Sequence, residues 1–297
     1  MNSRAINRMA WIFLAPSLVL YAGYVLFPVV FSFYLSLTNW DGVAGFPRWM
    51  CDSSIASCFG NYLELFQDEI FWSSFKNNLI WLVFFSLSAP VGLGLAFLFH
   101  VKNSYSNLFK SLVFAPMVFS LVVVGTIWSW FLQPEFGLME WLLKQFGLLG
   151  PKEQFGLMAD FTWATAGLIV AASWPHAAYC MVLYLAGLSN LQKNVLEAAT
   201  IDGATGFKAF WYMILPMLKP VTVIVFIVTL IGALRTFDLV SIMTAGGPAN
   251  SSNVMALYMY QQTFESFRYG YGASIAVILF LISLFLIVMY LKKTKEV

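Results

Sequence analysis

Apolar residues run through this chain in long blocks, and the charged residues fall between the blocks rather than inside them. Five runs without Asp, Glu, Lys or Arg reach the length of a membrane span: Met9 to Trp40, Asn77 to Val101, Ser111 to Pro134, Phe161 to Gln192 and Tyr269 to Leu291. Each exceeds the roughly 20 residues a helix needs to cross hydrocarbon, where a charge near the centre costs about 2.5–3.5 kcal/mol on insertion scales. A sixth apolar stretch runs from Pro220 to Leu234 before it meets Arg235 and Asp238, and it is read as a span too. The run Leu239 to Phe264 is also free of charge, yet it contains Ala245-Gly-Gly-Pro-Ala-Asn-Ser-Ser-Asn253, which is loop chemistry. The pattern predicts an all-α integral membrane protein, one domain over 1–297, with six transmembrane helices at about 10–37, 78–101, 111–133, 162–190, 220–243 and 270–291. Arg4 and Arg8 ahead of the first run also fit a secretory signal. At 32 residues, however, that run far exceeds a cleavable core of about 7–15, so it is predicted to remain as the first helix.

Composition supports the same class. Of 297 residues, 60% are hydrophobic and only 10% charged, against about 25% charged in soluble domains. Most of the surface therefore faces something other than water, which excludes a cytosolic enzyme, a nucleic-acid binder and a disordered tail. The net charge of +2 points to no anionic partner, but its distribution is informative. With six spans both termini share one side, and that side carries ten bases against three acids, while the other carries six bases against eleven acids. Positive charge stays cytoplasmic, so both termini are predicted cytoplasmic.

Candidate chemistry is sparse. Cys51 and Cys58 share the first outer loop, seven positions apart, where either a disulfide or two free thiols fits an oxidising compartment. Cys180 lies in a span and is expected to pack as a small apolar residue. His100 and His176 stand far apart and form no metal set; each is expected to be packed or satisfied. A phosphate-cradling loop does not occur: Gly203-Ala-Thr-Gly206-Phe-Lys208-Ala209 has the wrong spacing and no hydroxyl after its lysine. The chain is not expected to be an enzyme or to hydrolyse ATP by itself. Apart from Asp238, the spans hold no carboxylate for a proton relay. An ion-gradient-driven secondary transporter and a membrane-embedded enzyme stand as alternative classes, although no nucleophile with an adjacent base and no paired carboxylates emerge.

One cytoplasmic loop, 193–219, is longer than the others. It begins as a helical segment containing Glu197-Ala198-Ala199, turns at Gly203, and continues as a short second helix expected to stop near Pro216. Phe207, Phe210, Trp211 and Ile214 follow the i, i+3, i+4, i+7 rule. Such an apolar face suits either lipid headgroups or a groove in a partner protein.

The loop resembles the EAA loop of membrane subunits of binding-protein-dependent ABC importers. That pattern is Glu-Ala-Ala, three residues, Gly, nine residues, Ile, one residue, Leu-Pro. Glu197-Ala198-Ala199, Gly203 and Leu215-Pro216 fall on it, with Met213 at the isoleucine position. The similarity extends over nearly the whole chain and narrows to carbohydrate-uptake importers of the maltose and glycerol-phosphate permease type. Phe59-Gly60-Asn61-Tyr62 with Phe71-Trp72 and Asn77 is similar to that family's opening. Pro116, Ser120, Gly125, Trp128 and Phe136-Gly137-Leu138 resemble its next signature, and Phe237-Asp238, Thr244-Ala-Gly246-Gly247-Pro248 and Tyr258-Met-Tyr260 its outer-loop motif.

The resemblance implies the type I ABC importer permease fold in a bacterial cytoplasmic (inner) membrane. It also implies a second homologous permease subunit, a dimer of ATPase subunits that bind ATP and magnesium, and a periplasmic or lipid-anchored solute-binding protein that delivers a sugar or sugar derivative. Lipid surrounds the spans, and this chain itself carries no cofactor. The EAA loop would then be the ATPase-coupling element, comprising Glu197, Ala198, Ala199, Asp202, Gly203, Phe207, Phe210, Trp211, Met213, Leu215 and Pro216. Glu197 is expected to orient the two halves of the loop, the alternative being an exposed helix carboxylate. Sugar recognition combines polar groups with aromatic faces, which singles out Asn78, Trp128, Trp174, Tyr179 and Tyr184 as pathway residues. Arg235 and Asp238 are i, i+3 neighbours read as a gate or an interfacial pair on one helix face. Gly246, Gly247 and Pro248 are read as either a contact for the binding protein or a flexible turn.

Overall fold

A computed structural model describes residues 3–43, 45, 47, 49–50, 57–100, 106–150, 152–191 and 206–295. Among these residues the backbone is almost wholly helical, with one isolated antiparallel bridge between Thr38 and Trp49. Helices α1 (Ser3–Tyr21) and α2 (Phe27–Ser36) join through a π turn at Ala22–Leu26. Pro28 follows just after this π turn, where the helix runs on without a break into α2. Then come α3 (Gly60–Gln67), α4 (Glu69–Phe85), α5 (Ser88–His100), α6 (Ser106–Val118), α7 (Leu121–Phe131), α8 (Leu138–Gln145) and α9 (Ala164–Ser189). From Gly206 follow α10 (Gly206–Ala209), a π turn at Phe210–Ile214, α11 (Leu215–Met217), α12 (Lys219–Leu234), α13 (Asp238–Met243), α14 (Met255–Tyr260) and α15 (Tyr269–Lys295).

Five helical stretches are long and apolar enough to cross a membrane: Trp11–Ser36, Glu69–His100, Ala164–Ser189, Lys219–Met243 and Tyr269–Thr294. The segment expected as a single third span at 111–133 is instead two helices, α6 and α7, bent by 102° at a break. Ser120 causes the break locally: it takes an extended backbone (φ −64, ψ 150) and its hydroxyl caps the Val123 N–H at 3.4 Å, so the chain starts a new helix there. The fifth span is interrupted too, since α12 ends at Leu234 and α13 begins at Asp238. Pro216 does not stop the second coupling helix. It occupies the first turn of α11, and the chain passes through Leu218 (φ −80, ψ −1) directly into α12.

Tertiary contacts divide the chain into two compact units. The first comprises Met1–Phe71 and Tyr258–Leu281. Within it the buried Asn61 amide donates to the carbonyls of Ser36 and Thr38, both at 2.9 Å, tying α3 to the end of α2. Gly270 is required at the start of α15, because a Cβ there would lie 1.9 Å from the Thr38 carbonyl oxygen. Arg268 donates to both oxygens of Glu64 at 2.6 Å and stands 4.3 Å over the Tyr271 ring. Cys58 is disulfide-bonded; Cys51 lies outside the described residues.

The second unit comprises Trp72–Leu257 and Ile282–Val297. Lipid is as apolar as a leucine side chain, so its helices are held by close packing rather than by exclusion of water. Helices α5 and α9 approach closely: a Cβ on Gly92 would meet the Cys180 Cβ at 2.4 Å and the Ala177 carbonyl at 2.8 Å. Cys180 is buried there as a free thiol, the packed residue the sequence predicted. Two apolar clusters result. One gathers Trp81, Phe85, Val124, Leu168, Leu239 and Val254, and the other Ala89, Ala96, Met181, Tyr184, Leu218 and Val225.

Candidate functional site

Both interrupted spans open on one cavity of about 460 Å³ in the second unit. Phe119 and Leu121 line it from the α6–α7 break, Arg235 through Asp238 from the α12–α13 break, and Trp81, Phe85, His176 and Tyr179 from α4 and α9. Irregular backbone at membrane depth leaves N–H and C=O groups unpaired, which lipid cannot satisfy. It is tolerated where it lines a protein cavity. The walls thus combine aromatic rings with cationic, anionic and hydroxyl groups. His176 is held firmly: its ring stacks on Phe85 (4.5 Å between centroids) and on Tyr179 (6.0 Å). Its Nε2 lies 2.8 Å from the Thr229 hydroxyl, which itself donates to the Val225 carbonyl at 2.7 Å.

In the segment 206–214, α10 and the π turn carry the aromatic face expected from the sequence, but split in two. Phe210 is partly buried and meets Phe97 edge-on at 4.7 Å, while Ile214 packs on the second apolar cluster. Phe207 and Trp211 stack on each other at 6.1 Å and stand 76% and 52% exposed. One half of the face packs against the helices; the other half is exposed. Met213 and Leu215 are partly buried and Pro216 exposed. Glu197, Ala198, Ala199, Asp202 and Gly203 lie outside the described residues.

Residues 88–294 match the family model described as the binding-protein-dependent transport system inner membrane component. The chain belongs to this family. Among relatives of this transport component, the lactose transport system permease of Rhizobium radiobacter is 33% identical over 91% of this chain and 89% of its own length. The sulfoquinovosyl glycerol transport system permease of Agrobacterium fabrum is 31% identical over 97% and 91%. A solved bacterial alginate ABC transporter, in complex with an alginate pentasaccharide-bound periplasmic protein, superposes with a TM-score of 0.80 at 20% identity, covering 97% of this chain and 95% of that one. The fold is that of a type I ABC importer permease, and the chain is an inner-membrane transport component.

Within this transport component the residues singled out in the spans separate into two groups. Tyr179, Arg235 and Asp238 reach the cavity. Arg235 and Asp238 do not share a helix face, because the break at 235–237 lies between them, and no ion pair joins them. Tyr184 and Asn78 are each 2% exposed and belong to the interior. Asn78 accepts the Met255 N–H at 2.8 Å, a structural tie. Trp128 packs beside the first apolar cluster and meets Trp174 edge-on at 6.1 Å. Trp174 lines a separate, larger groove of about 1160 Å³ along α4, α5 and α9. His176 is packed and hydrogen-bonded as expected, yet it also lines the cavity, as does Trp81, which sequence reasoning passed over; a lone histidine in a span gives no sign of which way it faces.

The loop with Gly246, Gly247 and Pro248 is a built structure, not a slack turn. Gly246 has φ +86, a conformation suited to glycine. The Thr244 and Ser252 hydroxyls lie 2.9 Å apart, and Ser252 N donates to the Gly246 carbonyl at 3.2 Å. Asn77 fastens the loop to α4 by donating to the Ser251 and Asn253 carbonyls at 2.7 and 2.8 Å.

Proposed function

We propose that this chain is one of two homologous permease subunits of an ATP-driven importer for a sugar or sugar derivative. Both termini are cytoplasmic, and a dimer of separate ATPase subunits holds ATP and magnesium. A solute-binding protein docks on the outer side, where the braced loop around Gly246, Gly247 and Pro248 offers a shaped contact. The observation that carries the reading is the cavity at which two interrupted spans meet. Aromatic faces of Trp81, Phe85 and Tyr179 suit the C–H faces of a sugar ring, while Arg235, Asp238, Thr236 and His176 supply donors and acceptors for its hydroxyls. The named substrates of the relatives support the class.

On the cytoplasmic side, the exposed Phe207–Trp211 stack enters the ATPase, with Glu197, Ala198, Ala199, Asp202 and Gly203 forming the first half of the same coupling element. Phe210 transmits the motion to α5 through Phe97. Uptake and ATPase co-purification separate these roles. Tyr179→Ala is expected to lower uptake while the ATPase still co-purifies, and Phe207→Ala with Trp211→Ala to release the ATPase. Uptake at wild-type rate in the first variant would remove the cavity from the pathway; retained ATPase in the second would remove the coupling role.

A further inference from the structure

The connection between α7 and α9 carries an apolar surface that its own chain leaves uncovered. Phe136 is 79% exposed, Leu138 53%, Trp141 57%, Phe146 76% and Leu148 73%. In α8, Leu138 and Trp141 stand three residues apart on one face, while Glu140, between them in sequence, turns inward and is buried. The stretch 136–149 holds two charges, Glu140 and Lys144, and they meet each other at 2.6 Å. Glu140 also accepts the N–H groups of Glu135 at 2.8 Å and Phe155 at 2.9 Å, so the whole excursion is pinned to its own returning strand of chain. What remains on the outside of 136–149 is mostly large and apolar, with Gln145 exposed among it and Glu135 exposed at its edge.

The position of this surface is bounded by its neighbours. Helix α7, half of a candidate span, ends at Phe131, and α8 starts seven residues later. At about 3.3–3.6 Å per extended residue, α8 stays within roughly 25 Å of the span's end. The return to α9 brings Phe161 and Trp163, 66% and 59% exposed, immediately before its first residue, and Trp130 on α7 is 75% exposed. Rings gathered at span ends mark the membrane–water boundary.

We propose that α8 and its flanks lie in the membrane interface as an embedded foot, with Phe136, Leu138, Trp141, Phe146 and Leu148 entering the headgroup and acyl boundary of the leaflet that α7 and α9 reach at this end. A docking face for a soluble partner mixes apolar anchors with a polar, charged rim. Five large apolar side chains next to aromatic span ends, with Glu140 and Lys144 paired to each other, supply the apolar face of an interfacial element. The foot anchors the α7–α9 connection and so steadies one wall of the cavity at the α6–α7 break. This inference goes beyond the transport reading and does not depend on which solute is carried.

Spin-label accessibility tests it on the assembled transporter in vesicles of phosphatidylcholine and phosphatidylglycerol. Labels are placed by W141C, L148C and, as a reference in the exposed charged part of the same connection, K152C, each combined with C180A. The oxygen-to-nickel-chelate collision ratio is expected to be several-fold higher at W141C and L148C than at K152C, with or without binding protein. Equal ratios at all three sites overturn the proposal. So does nickel access at W141C and L148C that is lost only on adding substrate-loaded binding protein, which makes the surface a protein-docking face. Should W141C fail to assemble, L148C, outside α8, decides alone.

Discussion

The Asp68 carboxylate accepts the Tyr271 hydroxyl at 2.6 Å, across 203 positions of sequence. Tyr258 donates to the same oxygen, and the Ile70 N–H caps the other at 2.8 Å. This joins the α3–α4 turn to the first turn of α15 within one unit. Burial pushes the Asp68 carboxyl up, but the two tyrosine hydroxyls and the N–H groups of Ile70 and Phe71 outweigh it and hold the group below its ordinary value. Asp68→Ala leaves two hydroxyls without their acceptor and is expected to cost about 1–3 kcal/mol, seen as a lower thermal unfolding midpoint. Tyr271→Phe removes one bond and should cost less.

Glu140 confers an acid sensitivity on the connection between α7 and α9. Lys144, then the N–H groups of Phe155 and Glu135, hold its carboxyl at about 2, below the ordinary 4.5. A depressed folded value contributes stability that is complete above the unfolded value and lost as pH falls toward the folded one. Hydrogen exchange of the amides in 135–155 should therefore show pH-independent opening free energy at neutral pH, and easier opening only as pH drops from about 4.5 toward 2. Glu140→Gln should open the connection at neutral pH and remove that acid dependence.

The α5–α9 contact makes a sharp pair of predictions. Gly92→Leu places a side chain where the Cys180 Cβ and the Ala177 carbonyl already stand, 2.4 and 2.8 Å from an added Cβ. Overpacking of this kind costs about 1–3 kcal/mol or more, and the yield of assembled transporter should fall. Gly94→Ala, two residues along the same helix with nothing within 4 Å, should be neutral or slightly stabilising.

Much of this architecture is legible in the sequence because membrane spans are set by a one-dimensional rule, the exclusion of charge. Spans announced by runs such as Tyr269 to Leu291 follow from that rule alone. The rule is blind to where a helix breaks without leaving the membrane. Ser120 signals a cap in hindsight, whereas Thr236 and Phe237 carry no turn chemistry, and the break at 235–237 separates Arg235 from Asp238 regardless. It is equally blind to direction within a bundle. Asn78, Tyr184 and Tyr179 look alike in a span, yet the first two face the interior and only Tyr179 faces the cavity. Packing decides this, through contacts such as Gly92 against Cys180, and those contacts join residues far apart in sequence.

The central claim, that this chain is a permease subunit that moves solute only when driven by a separate ATPase and supplied by a binding protein, is tested most directly by uptake in reconstituted vesicles. With the second permease, the ATPase and the sugar-loaded binding protein present, accumulation should require ATP and stop when any one is omitted. Accumulation by this chain alone, down an imposed ion gradient, would contradict the account.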